Sequence, residues 1–386
     1  MTYTCSELNL DSQSQVPLDL PDNVPPLRML YLYLSAGCNL HCRHCWITPT
    51  FVRGKPVPGE CIDFELLKGA VAEARTLGLI AAKLTGGEPV LHPEFARIMD
   101  FLTEQGLRLT METNGTLIDR ALADHLHNHT GLYHIAVSFD SSEAGQHDWF
   151  RGVNGAFEAA LRGFRNLVEA GFHPQIIMSV YRENVSRIES LIEFAMGIGA
   201  DSVKFNPIVP TGRGAEMHRT GLALAFDELI ELNHRIRGPL QDQFPIHLCS
   251  MVPPALLSVR EMLRGASVGC CSVRNILGIL GSGEMALCGI GRTVPELCFG
   301  RLGHDSLRSV WIQNPVLNQM RQDLDRPFPG ICGDCIHAPR CLTHCLAMNY
   351  EESGKLVFPS SMCITADQRG LFPSTRRKSW DSAQSE

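Results

Sequence analysis

The chain has 386 residues, 44% of them apolar and 19% charged, with a formal net charge of −7 at neutral pH. This length can bury one large core plus a smaller domain, and the acidic balance excludes a dedicated nucleic-acid binder, which carries a basic footprint. No apolar run is long enough to span a bilayer, and residues 1–12 lack the apolar core of a signal peptide, so a membrane role is excluded and a cytoplasmic chain is expected.

In that reducing compartment the 15 cysteines point to metal binding or chemistry rather than to disulfides. Residues 1–27 are polar, contain prolines and read as an extended arm. Short apolar runs then alternate with amphipathic stretches. The runs at 29–35, 82–85, 107–112, 133–139, 175–181 and 202–205 predict strands. The stretches at 63–77, 93–105, 117–128, 156–170 and 187–198 predict helices, with glycine at several ends, as at Gly78, Gly106 and Gly171. Such alternation implies an α/β parallel sheet with helices outside it, and six units make a partial (β/α)6 barrel over residues 28–210. In barrels of this kind the chemistry gathers at the C-terminal strand ends. The cysteine loop follows the first strand, 86–89 the second, Asn114-Gly115 the third and Asp140 the fourth.

After Pro207 the pattern changes. Pro210-Thr211-Gly212-Arg213-Gly214 reads as a linker, and helical stretches at 225–237 and 251–263 fill a bridge over 211–267. A cysteine-rich segment over 268–370 follows, where regular periodicity fades, and 371–386 is a polar tail. Arg376-Arg377-Lys378 in that tail reads as solvated.

Cys38, Cys42 and Cys45 place three thiols close together in one loop. Cysteine thiolates are the usual ligands of iron–sulfur clusters, and three sulfurs leave one iron of a [4Fe–4S] cluster to another ligand. A structural zinc site remains the alternative, with His41 or His44 completing four ligands.

The C-x3-C-x2-C spacing after the first strand resembles the hallmark of the radical S-adenosylmethionine (SAM) superfamily. The resemblance implies that the methionine moiety of SAM chelates the open iron, and that one-electron cleavage gives a 5′-deoxyadenosyl radical that abstracts a substrate hydrogen. Thr85-Gly86-Gly87-Glu88-Pro89 is similar to the family's GGEP-type motif. It implies that Glu88 receives the methionine ammonium and that Gly86 and Gly87 let the backbone approach the ligand closely. The segments 112–115 and 137–140 resemble those holding ribose and substrate, which implies Asn114 and Ser138, with turn or capping roles as the alternative. Arg151 resembles an arginine that pairs with the methionine carboxylate, a surface salt bridge being the alternative. Ser179 is a further ribose candidate, and Trp46 packs either near the adenine or in the core.

Cys271 and Gly283-x4-Cys288, then Cys332-x2-Cys335-x5-Cys341-x3-Cys345, then Cys363, resemble the SPASM domain of peptide- and cofactor-maturing members. The resemblance implies two auxiliary [4Fe–4S] clusters, hence three in all. Cys271, Cys288 and Cys345 would hold the first, with Cys270 a possible fourth ligand, and Cys332, Cys335, Cys341 and Cys363 the second. A zinc ribbon on Cys332, Cys335, Cys341 and Cys345 is the alternative. Gly289 stands where some relatives carry an aspartate base, and 342–344 lacks their glycine pair. Cys5, Cys61, Cys249 and Cys298 match no motif and read as buried free thiols.

Family resemblance therefore implies an oxidoreductase-type maturase that modifies a ribosomally synthesised precursor peptide (a RiPP) by crosslinking, epimerisation or backbone excision. Tetrapyrrole maturation of the haem-biosynthesis type is the alternative, and a multi-cluster electron carrier lies in another class. Too few residues precede the barrel for the leader-binding winged-helix domain of many peptide maturases. A separate leader-binding partner, or docking on an edge strand, is then expected, together with an electron donor such as flavodoxin or ferredoxin.

Overall fold

The computed structural model describes residues 19–51, 57–263 and 274–378; Cys5, Cys270 and Cys271 lie outside them. The strands are β1 (Met29–Tyr33), β2 (Ala81–Thr85), β3 (Arg108–Thr113), β4 (Leu132–Ser138), β5 (Gln175–Val180), β6 (Ser202–Pro207), β7 (His247–Ser250), β8 (Ile276–Ile279), β9 (Glu284–Ala286) and β10 (Cys298–Arg301). They form one sheet in the order β10-β9-β8-β1-β2-β3-β4-β5-β6-β7. The neighbours from β8 through β1 to β7 are all parallel, and β9 is antiparallel to both β8 and β10.

Crossover helices α1 (Phe64–Thr76), α2 (Phe95–Glu104), α3 (Arg120–His129), α4 (Ala144–Arg151), α5 (Ala156–Ala170) and α6 (Ile188–Gly197) separate the first six strands. Local chemistry sets their ends. Asp63 and Asp119 accept from the backbone N–H of Leu66 and Leu122, capping α1 and α3, and Gly171 ends α5 in the left-handed conformation. The core lies between sheet and helices, where Leu30, Leu32, Leu84, Met111, Val137, Ile176 and Val203 are fully buried. All six residues of β5 are buried, as expected for a strand covered on both faces.

The six expected strands are therefore the middle of a wider sheet. β7 is only four residues long, and Gly278 interrupts the apolar run of β8, so neither carries a strong strand signal. Gly278 has a reason to be small: a Cβ there would lie 2.9 Å from the Cα of Cys288. The first cysteine-bearing part of the C-terminal region is thus joined to β1 by backbone hydrogen bonds. The helix expected over 251–263 is broken, because Pro253 and Pro254 confine it to a turn at Pro254–Leu256 and a short helix at Val259–Leu263. α4 escapes periodicity because it is only two turns long. The expected arm is also partly packed: Val24 and Leu27 are buried, and Pro25 accepts from the Trp311 indole at 2.9 Å.

Both outer edges of the sheet are bonded by side chains. Gln241 accepts from Leu248 N–H and donates to the Ile246 carbonyl beside β7, and Arg237 donates to the Ser250 carbonyl. At β10, Asp305 accepts from Arg301 N–H and Asn314 donates to the Phe299 carbonyl. The expectation of peptide docking by strand addition therefore meets edges where several of the backbone polar groups are already engaged. Among the described residues no helix is long and apolar enough to cross a membrane.

Because β8 belongs to the barrel's own sheet, Leu277→Ala, at a fully buried position, should destabilise the whole chain by about 2–5 kcal/mol. Urea unfolding followed by circular dichroism checks this: the midpoint of the main transition falls, rather than a separate C-terminal phase alone.

Candidate active site

The cysteine loop is latched from several sides. Cys38 N–H donates to Thr50 O, His41 N–H to Arg151 O and Arg43 N–H to Phe150 O. From the far end of the barrel, Arg213 N–H donates to Cys45 O and its Nε to Cys42 O at 2.7 Å. The linker at 210–214 is thus part of the site. Gly212 (φ +56°) is where it approaches, since a Cβ there would meet the Trp46 carbonyl at 2.5 Å.

Cys38 and Cys42 are buried and Cys45 is half-buried. Burial, with the neighbouring thiols adding to it, pushes the Cys38 thiol well above its ordinary range. Burial likewise pushes Cys42 up to about 11 against the opposing pull of Arg151. Polar hydrogens converge on their sulfurs: Leu40 N–H and Asn114 Nδ2 on Cys38 Sγ at 3.4 and 3.8 Å, and Arg151 Nη1 on Cys42 Sγ at 3.7 Å. Buried sulfur ligands ringed by such donors suit an anionic iron–sulfur cluster. Among the described residues no three His, Cys, Asp or Glu side chains gather as a single metal ion requires. His44, an alternative zinc ligand, stacks instead on Phe150 at 4.5 Å, and burial together with Arg151 and Arg213 holds it neutral.

Glu88 is buried beside this loop. Its carboxylate accepts from Thr113 Oγ1 at 2.7 Å, Asn114 N–H at 2.8 Å and Val90 N–H at 3.3 Å. Burial nonetheless raises its pKa to about 7, against these donors. The two preceding glycines stand close to the cysteine loop. A Cβ on Gly87 would meet the Gly37 carbonyl at 1.9 Å, and one on Gly86 (φ +125°) the Ser35 carbonyl at 3.0 Å. They let the second-strand loop seat closely against the backbone of the cysteine loop.

Asn114 reaches Cys38 and also donates to Asn39 Oδ1 at 2.8 Å. Its Oδ1 accepts from Thr116 N–H, so the turn role and the contact with the loop coexist. Arg151 is no surface ion pair. It is buried at the end of α4, with Nε 2.5 Å from Asp140 Oδ2, while Asp140 Oδ1 accepts from Ser179 N–H at 2.9 Å. Ser138 stands half-buried at the end of β4, and Ser179 is buried on β5. Trp46 packs between elements: a Cβ on Gly289 would lie 2.6 Å from its ring and 2.5 Å from that of Tyr33. No side chain fits at Gly289, which accounts for the missing aspartate.

The C-terminal cysteines fall into two groups. Burial, with a smaller push from the Cys345 thiol, raises the pKa of Cys288; burial, with Cys332 and Cys335 adding to it, raises that of Cys363. A zinc ribbon would instead pair Cys345 with the Cys332 group. Cys341 is buried at the end of a short helix in the same region. Between Cys341 and Cys345 the residues Leu342, Thr343 and His344 are all left-handed, with φ of 49°, 65° and 77°. Asn349 clamps this strained run through Thr343. Cys61 and Cys298 are free and half-buried, whereas Cys249 on β7 is disulfide-bonded and not free.

Sequence reasoning missed Asn39, the partnership of Asp140 with Arg151, and the reach of Arg213 across the barrel. Arg213 stands in the Thr211–Gly214 segment, and Asp140 and Arg151 each lie in a motif, but nothing in either motif signals that the two pair; Asn39 carries no motif role of its own.

Residues 32–195 match the family model of the Radical SAM superfamily. The AdoMet-dependent heme synthase of Nitratidesulfovibrio vulgaris is 27% identical over 92% of this chain and 96% of its own length. Mycofactocin maturase MftC of Mycobacterium tuberculosis is 26% identical over 86% of this chain and 81% of its own. Among solved structures, Streptococcus suis SuiB bound to precursor peptide SuiA matches with a TM-score of 0.68 and 16% identity, covering 88% of this chain and 76% of SuiB.

Gly289→Asp should disorder the contact between the barrel and the Cys288 loop, since both rings must move, at a cost on the order of 1–3 kcal/mol. Thermal unfolding checks it; Gly289→Asp melting like the parent would contradict the packing described.

Proposed function

Since this chain carries a radical SAM domain and is a radical SAM enzyme, we propose that it modifies a ribosomally made precursor peptide. In this reading Cys38, Cys42 and Cys45 hold the [4Fe–4S] cluster. When bound, that cluster and SAM supply one-electron cleavage of the sulfonium and a 5′-deoxyadenosyl radical that takes a hydrogen atom from substrate. The observation that carries the site is the convergence of Leu40, Asn114 and Arg151 donors on buried thiols at the strand ends.

The protein's own contributions follow from its chemistry. Glu88 offers a carboxylate to the cofactor's methionine ammonium. Arg151, fixed by Asp140, sets positive charge beside Cys42 and the methionine carboxylate. Asn114, Ser138 and Ser179 lie at neighbouring strand ends, where they can meet the ribose. The stacked rings of Phe150 and Tyr181, 4.6 Å apart, wall the site from solvent, which protects a radical from quenching. In the C-terminal region we assign Cys271, Cys288 and Cys345 to a first auxiliary [4Fe–4S] cluster, with Cys270 as the candidate for its fourth ligand. Cys332, Cys335, Cys341 and Cys363 are assigned to a second.

A peptide substrate is supported by the likeness in fold to SuiB, which is seen with a precursor peptide, and by the similarity to a maturase. The engaged sheet edges favour leader capture by a separate winged-helix partner over strand addition. A second reading, tetrapyrrole maturation, is favoured by the nearly end-to-end similarity to heme synthases. The Thr211–Gly214 segment does not decide between them, because here it packs on the cysteine loop, which both classes share.

Anaerobically reconstituted protein with dithionite and SAM should yield 5′-deoxyadenosine. Alanine at Cys38, Cys42 and Cys45 should abolish it while C-terminal iron remains; product from that variant would refute the site. Offering any precursor peptide found encoded beside the gene, and separately an iron tetrapyrrole, decides the substrate by which one is altered in the mass spectrum. Because Glu88 titrates near 7, it gains charge as pH rises from 6 to 8. SAM affinity, read by equilibrium dialysis, should therefore rise up to about tenfold per pH unit below that pKa, and Glu88→Gln should flatten the rise.

A further inference from the structure

We infer that Arg43, His41, Arg213 and Trp149 form the docking face for an acidic one-electron donor protein of the flavodoxin class. The inference rests on the reading of Cys38, Cys42 and Cys45 as ligands of the radical cluster. His41 and Arg43 are exposed on either side of Cys42. The Arg43 guanidinium lies 4.3 Å from the centre of the Trp149 ring, and its Nε donates to the Trp149 carbonyl. Trp149 is 39% exposed, and it alone is aromatic among the exposed large apolar side chains of the described residues. An exposed indole under an arginine, at the rim of a redox loop, has the composition of an interface centre.

The charge of this patch is not cancelled from within. The nearby Arg151, Arg182 and Arg187 each pair with a carboxylate. Arg43 and Arg213 make no such pair among the described residues, and Arg213 Nη2 is buried with no partner. Asp148, adjacent to Trp149, turns its carboxylate inward onto the N–H groups of Gly155 and Phe157 at 2.6 and 2.8 Å. On a chain of net charge −7, an exposed cationic patch steers an acidic partner to one place.

From that place a short run of contacts leads to the cysteine loop. The Trp149 ring lies 6.4 Å from Phe150, Phe150 stacks on His44 at 4.5 Å, and His44 is bonded to Cys45. One electron leaves the donor's reduced flavin, which is oxidised by one electron, and the cluster is reduced by that same electron. No bond is made or broken at the face itself.

The test compares reductants on the reconstituted full chain. With flavodoxin and its NADPH-dependent reductase, 5′-deoxyadenosine formation by the parent should fall as salt rises. Arg43→Glu should lose on the order of tenfold in flavodoxin-driven rate and in flavodoxin binding, measured by anisotropy of the flavin. Its dithionite-driven rate should stay within about twofold of the parent, and Arg43→Lys should retain most flavodoxin binding. Unchanged flavodoxin binding in Arg43→Glu, or equal loss with both reductants, overturns the inference. Failure of the parent with dithionite would instead strike the radical reading, since binding is scored separately.

Discussion

Buried thiol sulfur is the constraint on which the rest of the site depends. Three cysteines in one loop, two of them buried, can carry thiolate charge only if the surroundings supply donors and positive charge. The barrel supplies them from separate elements: Leu40 from the loop itself, Asn114 from the end of β3 and Arg151 from the end of α4. Asp140, at the end of β4, fixes Arg151 and is fixed in turn by Ser179 N–H and the Asn184 side chain acting on its backbone. The parallel strands matter here because they bring these ends into one layer.

The same constraint accounts for the glycines around the loop. Gly86, Gly87, Gly152 and Gly212 lie where neighbouring backbone comes too close for a Cβ. Close backbone contact lets the second strand's loop, the end of α4 and the linker all seat against one short segment. Gly278 and Gly289 extend this to the C-terminal region, where Cys288 is set against β8 and the rings of Tyr33 and Trp46. The cysteine loop's Trp46 and the segment around Cys288 are therefore packed against each other.

Much of this was legible in the sequence. The six central strands and five long helices follow from apolar periodicity, and the thiol loop follows from spacing. The rest was hidden for physical reasons. β7 and β8 are short and are held by pairing rather than propensity, and α4 is too short to show a period. The Arg151–Asp140 pair joins residues whose local sequence gives no hint of contact. The motif glycines were legible as tight positions, but only the coordinates show that the tight neighbour is the cysteine loop. The left-handed run at Leu342–His344 could not be read either, since none of its residues is glycine. Two of the C-terminal ligand candidates, Cys270 and Cys271, lie outside the described residues.

The most direct measurement of the central claim is the electron paramagnetic resonance spectrum of the dithionite-reduced protein before and after SAM is added. If Cys38, Cys42 and Cys45 hold a cluster with one open iron, SAM should change the spectrum of the parent. The Cys42→Ala protein should show only signals that do not respond to SAM. A spectrum indifferent to SAM in the parent, with iron fully loaded, would contradict the account.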